Sequence, residues 1–189
     1  MGQNRTHNSE SRDHRLARLK SHPVEAIETL LNSIANYFNN EIGVTPGHYQ
    51  TSLMFLGIHA AALTIGEVFF ANGKPDAMLK DYKQFLERFV DGDTEDTKFS
   101  LIAEDIHNWR NILAHQWLGS MGHRVEYDYQ TALGWEKKDD MLVINPKIYC
   151  DSYLKAFSAG GKIWRYDTIF TADQLTEIHK RIVQKFESK

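Results

Sequence analysis

Cysteine is nearly absent from this sequence, because Cys150 is the one cysteine among its 189 residues. A single thiol excludes an intramolecular disulfide framework and a cluster of thiolate ligands for zinc, and it is typical of a protein from a reducing compartment. Residues 1–15 are polar and contain no apolar stretch of the kind that secretory signals need. We therefore expect a cytoplasmic protein that folds without a disulfide.

Charge of one sign is not in excess either, since 22 lysines and arginines stand against 25 aspartates and glutamates, for a formal net charge of -3. The molecule as a whole has no general attraction for nucleic acid, so any RNA site must be local. Residues 1–22 are an exception, because they are locally basic. We interpret them as a flexible, solvated arm, with contact to a phosphate backbone as the alternative.

The longest apolar stretch, residues 53–70, is long enough to cross a membrane but is interrupted by His59, Thr64 and Glu67. Such side chains are costly in hydrocarbon, so a buried central helix is the better interpretation and no membrane contact is expected. Hydrophobic residues make up 42% of the chain and charged residues 25%, which is a globular composition. We expect a single domain over residues 23–189.

Four consecutive segments carry apolar residues at helical spacing, at about residues 23–39, 48–71, 75–90 and 97–118. Short polar segments separate them, which favours an antiparallel four-helix bundle and a mainly α fold. The pattern then changes, because apolar residues alternate from 124 to 135 and a second short apolar run follows the KKDD segment. This predicts a β-hairpin over residues 123–145, followed by two further helices that begin at Pro146 and near Thr171.

The predicted hairpin has one aromatic face, formed by Tyr127, Tyr129 and Trp135. Aromatic side chains on a nucleic-acid-binding sheet can stack on unpaired bases. An alternating aromatic face packs more often against a helix, and we expect that arrangement here. The hairpin is therefore interpreted as part of the core rather than as a ligand site.

The fourth predicted helix has two distinct faces when its residues are placed at about 100° intervals. One face is apolar and consists of Ile102, Ile106, Trp109, Leu113 and Trp117. The opposite face consists of Glu104, Asn108, Asn111 and His115. Asparagine is a poor helix former, so two asparagines aligned with a histidine indicate a second surface with a function of its own.

Arg110 lies at the edge of the apolar face, about 140° around the helix from His115. The two side chains therefore do not project side by side from an ideal helix. The arginine can reach around the helix, the helix can distort, or two copies of the chain can bring the groups together across a symmetric interface. We favour the third arrangement and expect a homodimer.

The segment from Trp109 to His115, with sequence WRNILAH, resembles the hallmark of HEPN proteins, in which an arginine and a polar residue precede a histidine. The resemblance covers about residues 23–119, and the hairpin and last helices are interpreted as elaborations. It implies an endoribonuclease or nucleic-acid-binding fold that is often dimeric. It also implies a place in prokaryotic defence or toxin-antitoxin systems, with RNA and an antitoxin protein as partners.

The catalytic residues that this resemblance implies are Arg110, Asn111 and His115. Histidine titrates near neutral pH, so His115 can transfer protons to and from RNA, while the planar guanidinium of Arg110 matches phosphate oxygens. Asn111 can orient the imidazole or contact the phosphate. The predicted products carry 2',3'-cyclic phosphate ends, and neither a metal nor another cofactor is needed. The residues expected to support this site are Glu104, Asn108 and Glu67.

Three alternatives remain open at this point. Arg110 can simply pair with a buried Glu67 while His115 caps the helix C-terminus. Glu104 and His107 resemble half of a carboxylate metal site, with His59 on another helix, although no second Glu-x-x-His lies at a matching position. The protein can also be a HEPN-like dimer that binds RNA or a protein without cleaving anything.

Overall fold

The structure, a computed structural model, describes residues 11–42, 51–70, 78–116 and 125–187. Within these ranges the fold is mainly helical and includes a small three-stranded sheet. The α-helices are α1 (Arg12–Ser21), α2 (Pro23–Tyr37), α3 (Thr51–Phe70), α4 (Met78–Phe85), α5 (Ala103–Gln116), α6 (Pro146–Phe157), α7 (Tyr166–Ile169) and α8 (Ala172–Glu187). The strands are β1 (Val125–Tyr127), β2 (Trp135–Lys138) and β3 (Met141–Ile144).

The basic segment near the N-terminus is helical over Arg12–Ser21, so the expectation of a flexible arm is wrong for these residues. The Ser11 hydroxyl caps the helix by accepting a hydrogen bond from the His14 amide. Leu19 is buried, and the His179 ring on α8 lies 2.8 Å from the Leu19 carbonyl oxygen. α1 is therefore docked on the last helix by a contact that joins distant parts of the chain.

The central element is α3, which packs against α4, α5, α6 and α8. Within the described ranges it is the one helix long and apolar enough to cross a membrane, with a mean hydropathy of 1.8. Its buried residues include Met54, Phe55, Ile58 and Ile65, which confirms the prediction of a buried central helix. α5, which carries the motif from Trp109 to His115, packs directly against α3.

The four predicted helices are present within the described ranges, and the predicted ends at residues 48–50, 71, 75–77 and 117–118 lie outside those ranges. α2 begins at Pro23 as expected but continues as a π-helical turn over Phe38–Ile42, and α4 likewise continues into a π-helical turn over Leu86–Val90. The fourth predicted helix begins with a 3-10 turn over Phe99–Ile102 before α5. α3, α4 and α5 pack against one another, whereas the strongest packing of α2 is against α8.

The sheet differs from the predicted simple hairpin. β2 and β3 are antiparallel neighbours that flank a turn at Asp139 and Asp140, as expected, but β1 pairs in parallel with the other edge of β3. The long first strand predicted over residues 124–135 is wrong, because residues 128–134 bend away. The Asp128 side chain accepts a hydrogen bond from the Gln130 amide at 2.8 Å, and such side-chain contacts compete with strand pairing.

The C-terminal helices α6 and α8 are confirmed, with a short 3-10 turn and α7 between them. α6 contributes Tyr149 and Tyr153 to the core, where both meet Tyr82 of α4. The three buried hydroxyl oxygens lie 3.0, 3.1 and 3.4 Å apart. Each hydroxyl can donate one hydrogen bond and accept another, so the triangle satisfies buried polar groups without water.

Candidate functional site

The candidate site lies along α5, whose apolar face fixes the helix in the core. Ile102, Ile106, Trp109 and Leu113 are buried, which confirms the predicted stripe as far as the described residues extend, and Trp117 lies outside them. The Trp109 indole also donates a hydrogen bond to the Tyr127 hydroxyl at 2.6 Å. The hairpin aromatic Tyr127 therefore packs in the core, as expected.

The opposite face of α5 is the more exposed one. Glu104 and Asn108 are exposed and Asn111 is partly buried, in agreement with the predicted polar stripe. The backbone of His115 continues α5 one turn beyond Asn111, and its side chain lies outside the described residues. The structure therefore shows where the polar face of α5 lies, and the imidazole of His115 is outside the described residues.

Arg110 turns toward this polar side, because its Nη1 atom donates a hydrogen bond to the Asn111 side-chain oxygen at 2.9 Å. The side chain is partly exposed, and its buried Nε–H has no hydrogen-bond partner among the described residues. Reaching around the helix, one of the three arrangements considered for Arg110, therefore occurs within a single chain. The guanidinium keeps donors that no described protein group uses.

Two histidines meet beside Arg110. The Nε2 atom of His59 on α3 lies 3.1 Å from the Nδ1 atom of His107 on α5, and the ring of His59 also lies against that of Tyr82, with centroids 4.3 Å apart. His59 is fully buried and its Nδ1 atom has no partner within the described ranges, whereas His107 is partly exposed. Together, His107, Arg110 and Asn111 occupy one flank of α5.

Both imidazoles are held in the neutral state. Burial is the main cause that lowers the pKa of His59 to about 3, and the neighbouring His107 and Arg110 act in the same direction. Burial and then the positive charge of Arg110 lower the pKa of His107. The flank at neutral pH therefore carries one permanent positive charge, on the guanidinium, next to two uncharged rings.

Glu67 does not join this cluster, so its assignment as a supporting residue for Arg110 needs correction. The Glu67 side chain is exposed and bonds to the Lys185 ammonium on α8 at 2.7 Å. It lies eight residues, or about 12 Å of helix, beyond His59 on α3. The structural explanation in which Arg110 pairs with a buried Glu67 is therefore wrong for this conformation.

The structure brings together only part of the metal site considered for Glu104, His107 and His59. His59 and His107 do meet, but Glu104 is exposed, and no group of three histidine, cysteine or carboxylate side chains that could hold a metal occurs in the ranges that the structure describes. The positive charge of Arg110 beside the rings also opposes a cation. The two-histidine contact itself was not predicted, although both residues stood out in the sequence.

Comparison with known proteins gives no further information on this site. No family model, curated protein or solved structure matched the chain.

Proposed function

We propose that this protein is a metal-independent endoribonuclease of the HEPN type, with Arg110, Asn111 and His115 as its catalytic residues. The observation that carries the proposal is the hydrogen bond from Arg110 to Asn111, which turns the guanidinium toward the polar face of α5. The remaining Nη donors of this partly exposed arginine suit a phosphate group, because the planar fork of arginine matches two phosphate oxygens.

The proposed chemistry needs proton transfer and charge stabilisation. The 2'-oxygen of the RNA attacks phosphorus while the imidazole of His115 takes its proton, and the bond from phosphorus to the 5'-oxygen breaks as that oxygen gains a proton from the imidazolium of a second copy or from water. The products are a 2',3'-cyclic phosphate and a 5'-hydroxyl. Arg110 stabilises the charge on the phosphoryl oxygens in the transition state. DNA lacks the attacking hydroxyl and should not be cleaved.

The bundle assignment is part of the same proposal. The mutual packing of α3, α4 and α5, with the motif late in α5, supports a HEPN-like bundle in which α2 is the remaining helix. A homodimer would allow His115 of a second copy to complete the site or to supply the opposite acid-base role. RNA is the proposed substrate, and an antitoxin protein is the proposed regulatory partner.

Incubation of the purified protein with mixed cellular RNA in EDTA, followed by analysis of fragment ends, tests the activity. Wild-type protein should produce 2',3'-cyclic phosphate ends, and His115→Ala and Arg110→Ala should each lower the cleavage rate by about a hundredfold or more. His22→Gln, at an exposed histidine before α2, is the control and should cleave like wild type. Cleavage that requires magnesium, or fragments with other ends, would contradict the mechanism.

A binding test separates the enzyme from a non-catalytic binding module. The enzyme should lose turnover in His115→Ala but keep much of its affinity for RNA, because the imidazole acts mainly in the transition state. A binding module would show the same affinity in both proteins and no cleavage by either. Fluorescence anisotropy with a labelled RNA, beside the cleavage assay, distinguishes these outcomes.

A further inference from the structure

The His59–His107 pair has a geometry that the proposed catalytic residues do not explain. His59 is fully buried, its Nε2 atom lies 3.1 Å from His107 Nδ1, and its own Nδ1 atom has no hydrogen-bond partner in the part of the chain that the structure describes. One nitrogen of this contact must donate and the other must accept. The question is which ring carries the proton.

The unpartnered atom decides the tautomer of His59. A buried N–H without an acceptor is rarer and more costly in proteins than a buried lone pair without a donor. The single proton of neutral His59 is therefore on Nε2, where it donates to His107, and the unpartnered Nδ1 is bare. His107 accepts on Nδ1, so in its neutral form its own proton is on Nε2.

The fixed tautomer gives His107 an outward donor. Nε2 lies across the imidazole ring from Nδ1, so its N–H points away from His59, and the His107 side chain is partly exposed. Residues three apart on a helix are neighbours on its surface, so this N–H and the Arg110 guanidinium lie on the same flank. The influence of Arg110 on both imidazoles also indicates that its charge is close to the rings.

We propose that His107 is a phosphate-binding residue whose Nε2–H and the Arg110 guanidinium bind one phosphate group, and that His59 is a positioning residue that holds His107 in this tautomer. The inference rests on the proposed function in that the phosphate is taken to belong to RNA. A neutral imidazole can fill this role, because its protonated nitrogen remains a hydrogen-bond donor when the ring carries no charge.

A matched pair of substitutions separates the two nitrogens of His107. In His107→Gln the amide group reaches the position of Nε2, so the outward donor is kept. In His107→Asn the amide reaches only the position of Nδ1, so the contact with His59 is kept and the outward donor is lost. The probe is a fluorescein-labelled 2'-O-methyl RNA oligonucleotide, which carries the phosphates but cannot be cleaved by 2'-hydroxyl attack.

We expect His107→Asn to bind this probe about tenfold more weakly than wild type, the loss typical of one hydrogen bond to a charged group. His107→Gln should stay within about threefold of wild type. A purely structural role predicts the reverse order, because Asn keeps the inner contact. Equal binding by wild type and His107→Asn, or weaker binding by His107→Gln than by His107→Asn, would overturn the inference.

Nitrogen NMR of the histidine rings provides a readout in the unmodified protein. Wild type should show His107 with a bare Nδ1 and a protonated Nε2, and inorganic phosphate should move the Nε2–H signal. In His59→Leu, which removes the inner donor, the His107 signals should change to those of mixed tautomers. A bare Nε2 in wild type, or an Nε2–H signal that saturating phosphate leaves unchanged, would contradict the assignment.

The cleavage assay distinguishes failure of this inference from failure of the proposed function. If wild-type protein binds the probe through His107 and Arg110 but never cleaves RNA, the ribonuclease proposal is wrong and the phosphate-site proposal holds. If wild-type protein cleaves RNA and His107→Asn binds and cleaves RNA equally well, the ribonuclease proposal holds and the proposed role of His107 is wrong.

Discussion

Arg110 donates a hydrogen bond to the side chain of its own neighbour Asn111, across 2.9 Å. Adjacent residues on a helix point about 100° apart, so this contact requires the long arginine side chain to bend around α5. Asn111 is a neutral acceptor and leaves the guanidinium charge available to a ligand. A carboxylate in the same place would hold Arg110 as well but would compete with phosphate for that charge.

Asn111→Asp should therefore weaken RNA binding. We expect about tenfold or greater loss of affinity for the 2'-O-methyl RNA probe, because the new ion pair must be broken or shared when phosphate binds. The thermal midpoint should stay close to that of wild type, since the acceptor for Arg110 is retained. Asn36→Asp is the control, because it makes the same charge change at an exposed position of α2. Equal losses in both variants would mean that general charge repulsion is responsible.

The buried His59 should make the stability of the fold dependent on pH. Its pKa is about 3 in the folded protein, against an ordinary value of 6.5, so between these values the unfolded chain binds a proton that the native state does not. The contribution of His59 to the free energy of unfolding is thus fully present above pH 6.5 and is lost progressively as the pH drops toward 3. The slope contributed by this group approaches about 1.4 kcal/mol per pH unit.

Urea unfolding at several pH values between 7 and 5 measures this effect, because most carboxylates remain ionised in that range. His59→Gln cannot titrate and should show a clearly smaller loss of unfolding free energy from pH 7 to pH 5. His107, whose pKa is also lowered, accounts for part of the remaining slope in the variant. An unchanged slope in His59→Gln would show that the His59 ring is not held neutral by the fold.

Local signals in the sequence predicted the helices well. Pro23 marks the start of α2 and Pro146 marks that of α6, where the structure adds a cap by the Asn145 side chain on the Lys147 and Ile148 amides. The apolar periodicity of α5 predicted which side of the helix is buried. These features depend on residues within a few positions of one another, so a sequence contains the relevant information.

Contacts between distant segments were the ones that the sequence did not predict. α1 is held by Leu19 and by the contact between its carbonyl and His179, 160 residues later. The His59–His107 pair joins residues 48 positions apart, and β1 pairs with β3 in parallel. A buried Glu67 paired with Arg110 was one of the alternatives, yet this side chain projects to the surface and meets Lys185. Only tertiary packing determines which side of such a helix faces outward.

Removal of one hydroxyl from the tyrosine triangle should destabilise the core to a degree that depends on the position. Tyr149 takes part in the two shorter contacts, of 3.0 and 3.1 Å, while the contact between Tyr82 and Tyr153 is 3.4 Å long. Tyr149→Phe should therefore lower the unfolding free energy by about 1–3 kcal/mol, and by more than Tyr82→Phe or Tyr153→Phe.

Urea unfolding compares these variants with Tyr166→Phe. The Tyr166 ring is also buried, but its hydroxyl makes no hydrogen bond to any residue in the described ranges, so its removal should cost less than about 0.5 kcal/mol. A Tyr149→Phe variant as stable as Tyr166→Phe would show that the triangle contributes no net stabilisation.

Leu19→Ala should release α1 from α8. Leu19 is 1% exposed, and truncation of a buried leucine costs about 2–5 kcal/mol, which is large for a ten-residue helix with a single buried anchor. Hydrogen exchange should accelerate over residues 12–21 while α3 keeps its protection. Leu101→Ala is the control, because that side chain is 54% exposed. Unchanged exchange in Leu19→Ala would mean that other contacts hold the helix.

A dimer in which Arg110 and His115 of different copies form each site can be tested by complementation. Two differently tagged copies, one with Arg110→Ala and the other with His115→Ala, can be co-expressed and purified through both tags. One of the two shared sites then keeps both groups, so the heterodimer should have about half of the wild-type cleavage rate. If both groups of a site come from one chain, this heterodimer has no intact site and should be inactive.

The matched control reverses these outcomes. A heterodimer of one wild-type copy and one copy with both substitutions has no intact site when sites are shared, because the altered copy removes Arg110 from one site and His115 from the other. The same heterodimer keeps one intact site when each chain forms its own. Activity in the first heterodimer and none in the second therefore requires a shared site. The opposite result would assign catalysis to the single chain, where Arg110 already bends toward Asn111.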